Sequence, residues 1–172
     1  LRNNKFIDLA VHGEGEAVYL ALLENFHKTY WKNIPSLSFF DGDMFCNTPR
    51  ANRLKDIEVI PSPYLDGVFD NLIKKNPKQS WLALWETNRG CPFKCTFCDW
   101  GSATAAKVTK FDISRIEKEV KWFSDNKIEF IFCCDANFGM LKRDYEIVEI
   151  VAASKKKTGY PHALSVQSTK NG

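Results

Sequence analysis

Three closely spaced cysteines constrain the kind of site that this chain can form more than any other feature of the sequence. Cys91, Cys95 and Cys98 form a CxxxCxxC run, with Phe97 directly before the last cysteine. One loop with this spacing can fold around an iron–sulfur cube and give one thiolate to each of three irons. The fourth iron then has no protein ligand from this loop, and an open coordination position is typical of catalytic metal centres. The spacing therefore predicts a catalytic iron–sulfur site.

A structural zinc site and a disulfide are the alternative interpretations of this run. Zinc usually takes four nitrogen or sulfur ligands, often as two CxxC pairs, and the sequence contains no second pair at that spacing. Disulfides are typical of secreted proteins. Of the six cysteines, three are clustered and Cys133 and Cys134 are adjacent, which fits a reducing cytoplasm better. We therefore expect a cytoplasmic protein.

Composition limits the partners of the chain. Its 172 residues are 44% hydrophobic and 26% charged, as is usual for globular proteins. The formal net charge of +3 is too small to indicate nucleic acid binding. No apolar run approaches the roughly 18 residues that a membrane span needs, and no signal peptide is recognisable. The chain begins with Leu1 and stops after a strand-like stretch, so we expect an internal piece of a longer protein.

The order of predicted elements indicates an α/β protein. A strand over 6–11 and a helix ending near Tyr30 are followed by a connector rich in turn residues. Within the connector, a hairpin is expected across Asp41-Gly42 and a short helix over 65–73. Strands then alternate with helices, with strands over 81–86, 128–134 and 163–166 and helices over 112–123 and 141–157. Asp112 is expected to cap the first of these helices, whose apolar residues Ile113, Ile116, Val120 and Phe123 fall on one face at helical spacing. This alternation predicts βαβ units and a parallel sheet.

The ends of the predicted parallel strands select a second candidate site. Ligands gather at the carboxyl ends of such strands, and Asp135 and Asn137 follow the strand over 128–134. Because the cysteine loop follows the strand over 81–86, we expect both residues to lie beside it at the same sheet edge. Their oxygen atoms can accept hydrogen bonds from an ammonium group. Asp and Asn are also favoured as helix N-caps, and a helix follows, so both roles stay open. Cys133 and Cys134 are expected to be thiols packed in the core, with a fourth cluster ligand as the alternative.

The cysteine loop resembles the CxxxCxΦC signature of the radical S-adenosylmethionine (radical SAM) enzymes, where Φ is aromatic, here Phe97. The resemblance implies that the three cysteines hold a 4Fe-4S cluster and that S-adenosylmethionine (SAM) chelates its fourth iron. It implies reductive cleavage of SAM to a 5′-deoxyadenosyl radical, with the loop around Phe97 near the adenine. Asp135 and Asn137 replace the Gly-Gly-Glu-like segment that contacts the SAM amino group in many members, and their pattern is similar to that of cobalamin-dependent members.

A second resemblance concerns the domain order. The Gly13-Glu14-Gly15-Glu16 turn resembles the last strand–helix turn of the cobalamin-binding domain that precedes many radical SAM barrels. This implies the C-terminal tail of a Rossmann-like cobalamin-binding domain over 1–33, a connector over 34–78, and the first βα units of a TIM-like barrel over 79–172. The cobalt-ligating histidine motif Asp-x-His-x-x-Gly is not found, and His12 is expected to be a turn residue.

The predicted function is that of a radical SAM enzyme catalysing methyl transfer or rearrangement, with cobalamin as a third candidate cofactor. Such an enzyme needs an electron donor such as flavodoxin or ferredoxin, and its substrate is expected to be a small molecule or a peptide. Two alternatives stay open. One is a non-enzymatic iron–sulfur or zinc module, and the other is a radical SAM methylthiotransferase, which needs a further cluster-binding domain that the chain does not show.

Overall fold

The computed structural model describes most of the chain, namely residues 1–4, 6–26, 31–98, 100 and 107–169. Two compact units are present, Leu1–Lys55 and Asp56–Gly172. The boundary between them falls inside the segment 34–78, and the three-part organisation expected from the sequence stays a prediction. The content of helices and strands is mixed α/β, as predicted.

The first unit contains an antiparallel sheet and one helix. Strand β2 (Leu37–Asp41) pairs with both β1 (Leu9–Val11) and β3 (Met44–Asn47). The β2–β3 pairing confirms the hairpin expected from the Asp-Gly turn. Helix α1 (Glu16–Glu24) follows β1 and contributes to the core of this unit. The buried members of that core are Val18, Leu22, Ile34, Leu37 and Phe39.

The first strand and helix are both shorter than the sequence analysis predicted. Phe6 is 83% exposed and the strand begins only at Leu9. Helix α1 ends at Glu24 with Asn25 as its C-cap, and both the amide and the side chain of Asn25 donate to the Ala21 carbonyl, at 3.2 and 2.8 Å. The expected helix end near Tyr30 lies outside the described residues.

The second unit is built on a parallel sheet, as predicted, and its strands lie in the order β4 (Leu82–Trp85), β7 (Phe130–Cys133) and β8 (Ala163–Ser165). Its elements are α2 (Asp70–Lys75), β4 (Leu82–Trp85), β5 (Asn88–Arg89), β6 (Thr109–Lys110), α3 (Ile113–Asp125), β7 (Phe130–Cys133), α4 (Arg143–Thr158) and β8 (Ala163–Ser165). Short 3₁₀ helices cover Trp31–Asn33 in the first unit and Ile57–Val59 in the second. Helix α2 begins five residues later than expected because Gly67, with a φ of +72°, interrupts the helical backbone.

Helix α3 follows its sequence signals closely. Asp112 accepts a hydrogen bond from the Ser114 amide at 2.8 Å, which is the predicted N-cap. Ile116, Val120 and Phe123 are at most 1% exposed, so the predicted apolar face is buried. The Phe123 ring meets that of Trp85 edge-to-face, with 5.7 Å between centroids. This packing fixes α3 against β4, the strand that leads into the cysteine loop.

The two faces of the parallel sheet differ in their surroundings. One face is buried, with Ala83 and Trp85 of β4 and Ile131 of β7 at most 4% exposed. On the other face Leu82 and Leu84 are 57% and 64% exposed. Parallel sheets are normally covered on both faces. The second unit therefore presents an open apolar sheet face.

No helix in the described ranges is long and apolar enough to cross a membrane.

Candidate functional site

The cysteine loop is closed at its base by a strand pair that the sequence analysis missed. Asn88 and Arg89 of β5, directly before the loop, pair antiparallel with Lys110 and Thr109 of β6. Strands of two residues are too short to carry a recognisable periodicity. Just beyond, the Phe111 amide donates to the Thr87 carbonyl at 3.1 Å. Both ends of the loop are thus anchored near the carboxyl end of β4.

Gly90 lets the two ends of the loop approach closely. Its φ is +118°, a conformation that other residues rarely adopt. A Cβ atom added there would lie 2.7 Å from the Lys107 carbonyl oxygen, which belongs to the backbone and cannot rotate away. The loop entrance therefore requires glycine.

Gly90→Ala is expected to lower the free energy of unfolding by about 2 kcal/mol or more, because backbone strain and the backbone clash add together. Gly159→Ala is the matched control: it has a φ of +86° but no atom within 4 Å of the new Cβ, so only the strain applies. Chemical denaturation of both variants measures the difference. Equal losses of stability would contradict the close approach at Gly90.

The three cysteines lie on this one loop after β4, as predicted. Cys91 is 7% exposed, Cys95 is partly buried and Cys98 is exposed, and all three are free thiols. The Cys98 amide donates to the Cys95 carbonyl at 3.1 Å, which forms a turn between them. The residues that the structure describes contain no group of three His, Cys, Asp or Glu side chains arranged to hold a metal. The structure therefore shows the shared loop but not the predicted convergence of the three sulfurs.

Asn137 joins the second predicted site to the first. Strands β4 and β7 run parallel with Trp85 opposite Cys133, so their carboxyl ends meet at one edge of the sheet. Just past that edge, Asn137 Nδ2 donates to Cys91 Sγ at 2.9 Å. Both side chains are buried, at 9% and 7% exposure. The predicted neighbourhood of Asn137 and the cysteine loop is confirmed.

Asp135 lies at the same edge but is bound to other residues of the protein. Its Oδ1 accepts from the amides of Thr87 and Asn88 at 2.7 and 3.1 Å. Its Oδ2 accepts from Asn88 Nδ2 at 2.7 Å and from Thr87 Oγ1. Burial raises the pKa of Asp135, and the hydrogen bonds from Thr87 and Asn88 lower it in part. Since a carboxylate has about four acceptor positions, Asp135 fastens the start of the cysteine loop and has no position left for a SAM ammonium group.

The alternative role of these residues as helix N-caps is wrong. Helix α4 begins only at Arg143. The turn before it is fixed by Asp144, whose Oδ2 accepts from the amides of Gly139 and Leu141 at 2.8 and 2.9 Å. The sequence signal was ambiguous because several residues that can cap a helix precede α4.

The remaining candidate residues have different environments. Cys133 is fully buried and burial raises the pKa of its thiol, which confirms the predicted core position. Cys134 is exposed, so the core position predicted for it is wrong. Side chains alternate between the two faces along an extended chain, so Cys134 points away from the side on which Cys133 is buried. Phe97 is 72% exposed, and its position near an adenine stays a prediction.

The donor chemistry of the loop fits an iron–sulfur cluster. Three free thiols are the ligands that such clusters use. Hydrogen bonds to cysteine sulfur are a regular part of their surroundings and set the reduction potential. The Asn137 contact with Cys91 supplies one such hydrogen bond.

Comparison with known proteins shows close relatives among methyltransferases. The chain is 40% identical over 171 residues to the cobalamin-dependent radical SAM methyltransferase TokK of Streptomyces tokunonensis. It is 42% identical over 171 residues to 2-(S-pantetheinyl)-carbapenam-3-carboxylate methyltransferase of Streptantibioticus cattleyicolor. Each match covers 96% of this chain and 25% of the relative, so the chain spans about a quarter of the length of these curated relatives. No family model matches the chain.

Solved structures agree in fold. The cobalamin-dependent SAM radical enzyme OxsB in its apo form has a TM-score of 0.61 at 18% identity, over 96% of this chain and 23% of that one. The radical SAM methyltransferase TsrM from Kitasatospora setae, with cobalamin and a [4Fe-4S] cluster bound, has a TM-score of 0.55 at 15% identity. That match covers 90% of this chain and 31% of TsrM. From the sequence identities and the shared fold together, this chain is a homologue of one segment, about a quarter in length, of the cobalamin-dependent radical SAM methyltransferases.

Proposed function

We propose that this protein is a radical SAM enzyme that binds a 4Fe-4S cluster and SAM and catalyses cobalamin-dependent methyl transfer. One observation carries the proposal. The chain has the CxxxCxxC loop at the carboxyl end of a parallel strand, within a segment 40% identical to a cobalamin-dependent radical SAM methyltransferase. The site geometry and the relatives therefore favour the same chemistry.

In this proposal Cys91, Cys95 and Cys98 hold the cluster and leave one iron open for SAM. When bound, the cluster supplies the electron that cleaves the sulfonium of SAM. The protein contributes position: Asp135 fixes the residues that enter the loop, and Asn137 orients the Cys91 sulfur. The anchored loop base keeps these contacts at one sheet edge, which is where ligands of parallel α/β sheets bind.

The open sheet face supports the proposed TIM-like barrel. Leu82, Leu84 and Phe130 are 57%, 64% and 47% exposed on the face of β4 and β7 opposite α3. The interior of a βα barrel is filled by apolar side chains from successive strands. We therefore assign this face to the barrel interior, with β4, β7 and β8 as its first three strands.

We also propose that residues 1–33 are the C-terminal tail of a Rossmann-like cobalamin-binding domain, on the β1–α1 order alone, since the sheet of the first unit is antiparallel. Strand β1 enters α1 through a glycine-containing turn, as in a βα unit. Helix α1 also exposes large apolar residues, with Tyr19, Leu20 and Leu23 at 54% exposure or more. A helix that is apolar on several sides is normally covered by other elements, and further strands of such a domain would cover it.

The substrate is proposed to be a small molecule. The name of one relative specifies a pantetheinyl carbapenam carboxylate as its methyl acceptor. A reduced flavodoxin or ferredoxin is the proposed electron donor, because reductive cleavage of SAM consumes one electron that the cluster must receive from a partner.

Product analysis tests the proposed function. The holoprotein, reconstituted anaerobically with iron and sulfide, is incubated with SAM, cobalamin and a reductant. We expect 5′-deoxyadenosine, which reports radical formation, and S-adenosylhomocysteine, which reports methyl transfer. Omitting cobalamin should remove only the S-adenosylhomocysteine. Formation of neither product by a cluster-loaded protein would contradict the proposal, and 5′-deoxyadenosine alone would retain the radical enzyme but reject methyl transfer.

A further inference from the structure

The three cysteine thiols are not equivalent in this structure. Cys91 is buried at 7% exposure, whereas Cys95 is only partly buried and Cys98 is exposed. Cys91 also accepts the hydrogen bond from Asn137 Nδ2 at 2.9 Å. An amide N–H that points at a thiolate withdraws electron density from the sulfur. Burial strengthens that effect because the local dielectric constant is low.

The chain is anchored on both sides of Asn137. Two residues before Asn137, the Asp135 carboxylate accepts hydrogen bonds from Thr87 and Asn88, which lie 48 and 47 residues earlier in the chain. Directly after it, the Phe138 amide donates to the Gln167 carbonyl at 2.8 Å, and the Thr169 amide donates to the Phe138 carbonyl at 2.8 Å. Asn137 thus lies between two long-range anchors, which position the backbone from which its side chain reaches Cys91.

We propose that Asn137 is a positioning residue that sets the electronic character of one cluster ligand: its side-chain N–H donates to the Cys91 thiolate and raises the reduction potential of the cluster. This inference rests on the proposed function, because it needs the cluster. A donor to sulfur stabilises the reduced, more negative cluster more than the oxidised one. The iron bound by Cys91 then differs from those bound by Cys95 and Cys98.

Asn137→Leu tests the proposal, because leucine keeps the approximate shape of the side chain and removes the donor. Asn137→Ala is a second variant that removes the donor without adding apolar bulk. Asn126→Leu is the matched control, since Asn126 Nδ2 donates to the Trp122 carbonyl at 2.9 Å at the end of α3, away from the loop. The cluster-loaded proteins are titrated with a reductant and followed by electron paramagnetic resonance.

We expect more negative midpoint potentials in Asn137→Leu and Asn137→Ala and an unchanged potential in Asn126→Leu. Resonance Raman spectra provide a second readout. The Fe–S(Cys) stretching bands of the wild-type protein should shift on transfer to deuterated water, and the shift should decrease in both Asn137 variants. A role in packing alone would produce neither change.

Two outcomes would overturn this inference. One is that both Asn137 variants load a cluster with the wild-type potential and the wild-type deuterium shift. The other is that both remain folded by circular dichroism but hold no cluster, which would make Asn137 necessary for assembly rather than for tuning. In either case a wild-type protein that loads the cluster and cleaves SAM would leave the proposed function intact. A wild-type protein without a cluster would reject both.

Discussion

Replacement of any one of Cys91, Cys95 and Cys98 with alanine is expected to abolish SAM cleavage. Three sulfurs are needed to hold the cube while one iron stays open, and loss of one ligand weakens the cluster and changes its potential. The measurement is 5′-deoxyadenosine formation by the holoprotein after anaerobic reconstitution. We expect product to fall to the background of a reaction without protein.

Two other cysteines provide the controls for this prediction. Cys133→Ala is expected to cost about 1 kcal/mol of stability, because it removes a buried sulfur from the core. Cys134→Ala should cost less, because Cys134 is exposed. Both variants should keep a substantial part of the activity. Full activity in Cys95→Ala, or loss of cluster and product in folded Cys134→Ala, would show that the ligand set is wrong.

Asp135→Ala is expected to reduce the free energy of unfolding by about 3 kcal/mol or more. The substitution leaves the amides of Thr87 and Asn88 and the Asn88 carboxamide without their acceptor. Thr87 and Asn88 are at most 2% exposed, so water cannot replace the lost carboxylate without opening the structure. A buried donor left unpaired costs about 1–3 kcal/mol. Chemical denaturation measures the change.

A capping aspartate on the surface provides the comparison for Asp135. Asp112 accepts from the Ser114 amide on an exposed helix end, so Asp112→Ala should lower the free energy of unfolding less than Asp135→Ala does. The loss of stability in Asp135→Asn should lie between those of Asp135→Ala and Asp112→Ala. Asparagine keeps the shape of the side chain but turns an N–H towards a neighbouring donor. If Asp135→Ala were no more damaging than Asp112→Ala, the carboxylate would not be holding the start of the cysteine loop.

The regular part of the second unit was predictable because its signals are local. The apolar spacing of α3 and its Asp112 cap lie within a few residues of one another, and both are confirmed. The parallel order of β4, β7 and β8 followed from the alternation of strands and helices. The start of helix α2 was predicted too early. The apolar pattern over 65–73 indicated a helix, but Gly67 has a positive φ that interrupts the helical backbone.

The candidate site was only partly predictable, because its contacts join distant parts of the chain. The sequence predicted Asn137 beside the cysteine loop because the carboxyl ends of parallel strands meet at one edge of the sheet. The hydrogen bond from Asn137 to Cys91 confirms this prediction. It could not show that Asp135 binds Thr87 and Asn88, since neither residue forms a recognisable motif with it. An acidic residue after a strand has the same local pattern whether it faces a ligand or holds a loop.

Spectroscopy of the reconstituted protein tests the central claim most directly. Iron and sulfide are quantified, and the electron paramagnetic resonance spectrum of the reduced protein is recorded with and without SAM. We predict a 4Fe-4S cluster in the wild-type protein and a spectrum that changes when SAM is added, because SAM occupies the iron that the three cysteines leave open. Zinc in place of iron, or a cluster spectrum that SAM leaves unchanged, would contradict the account.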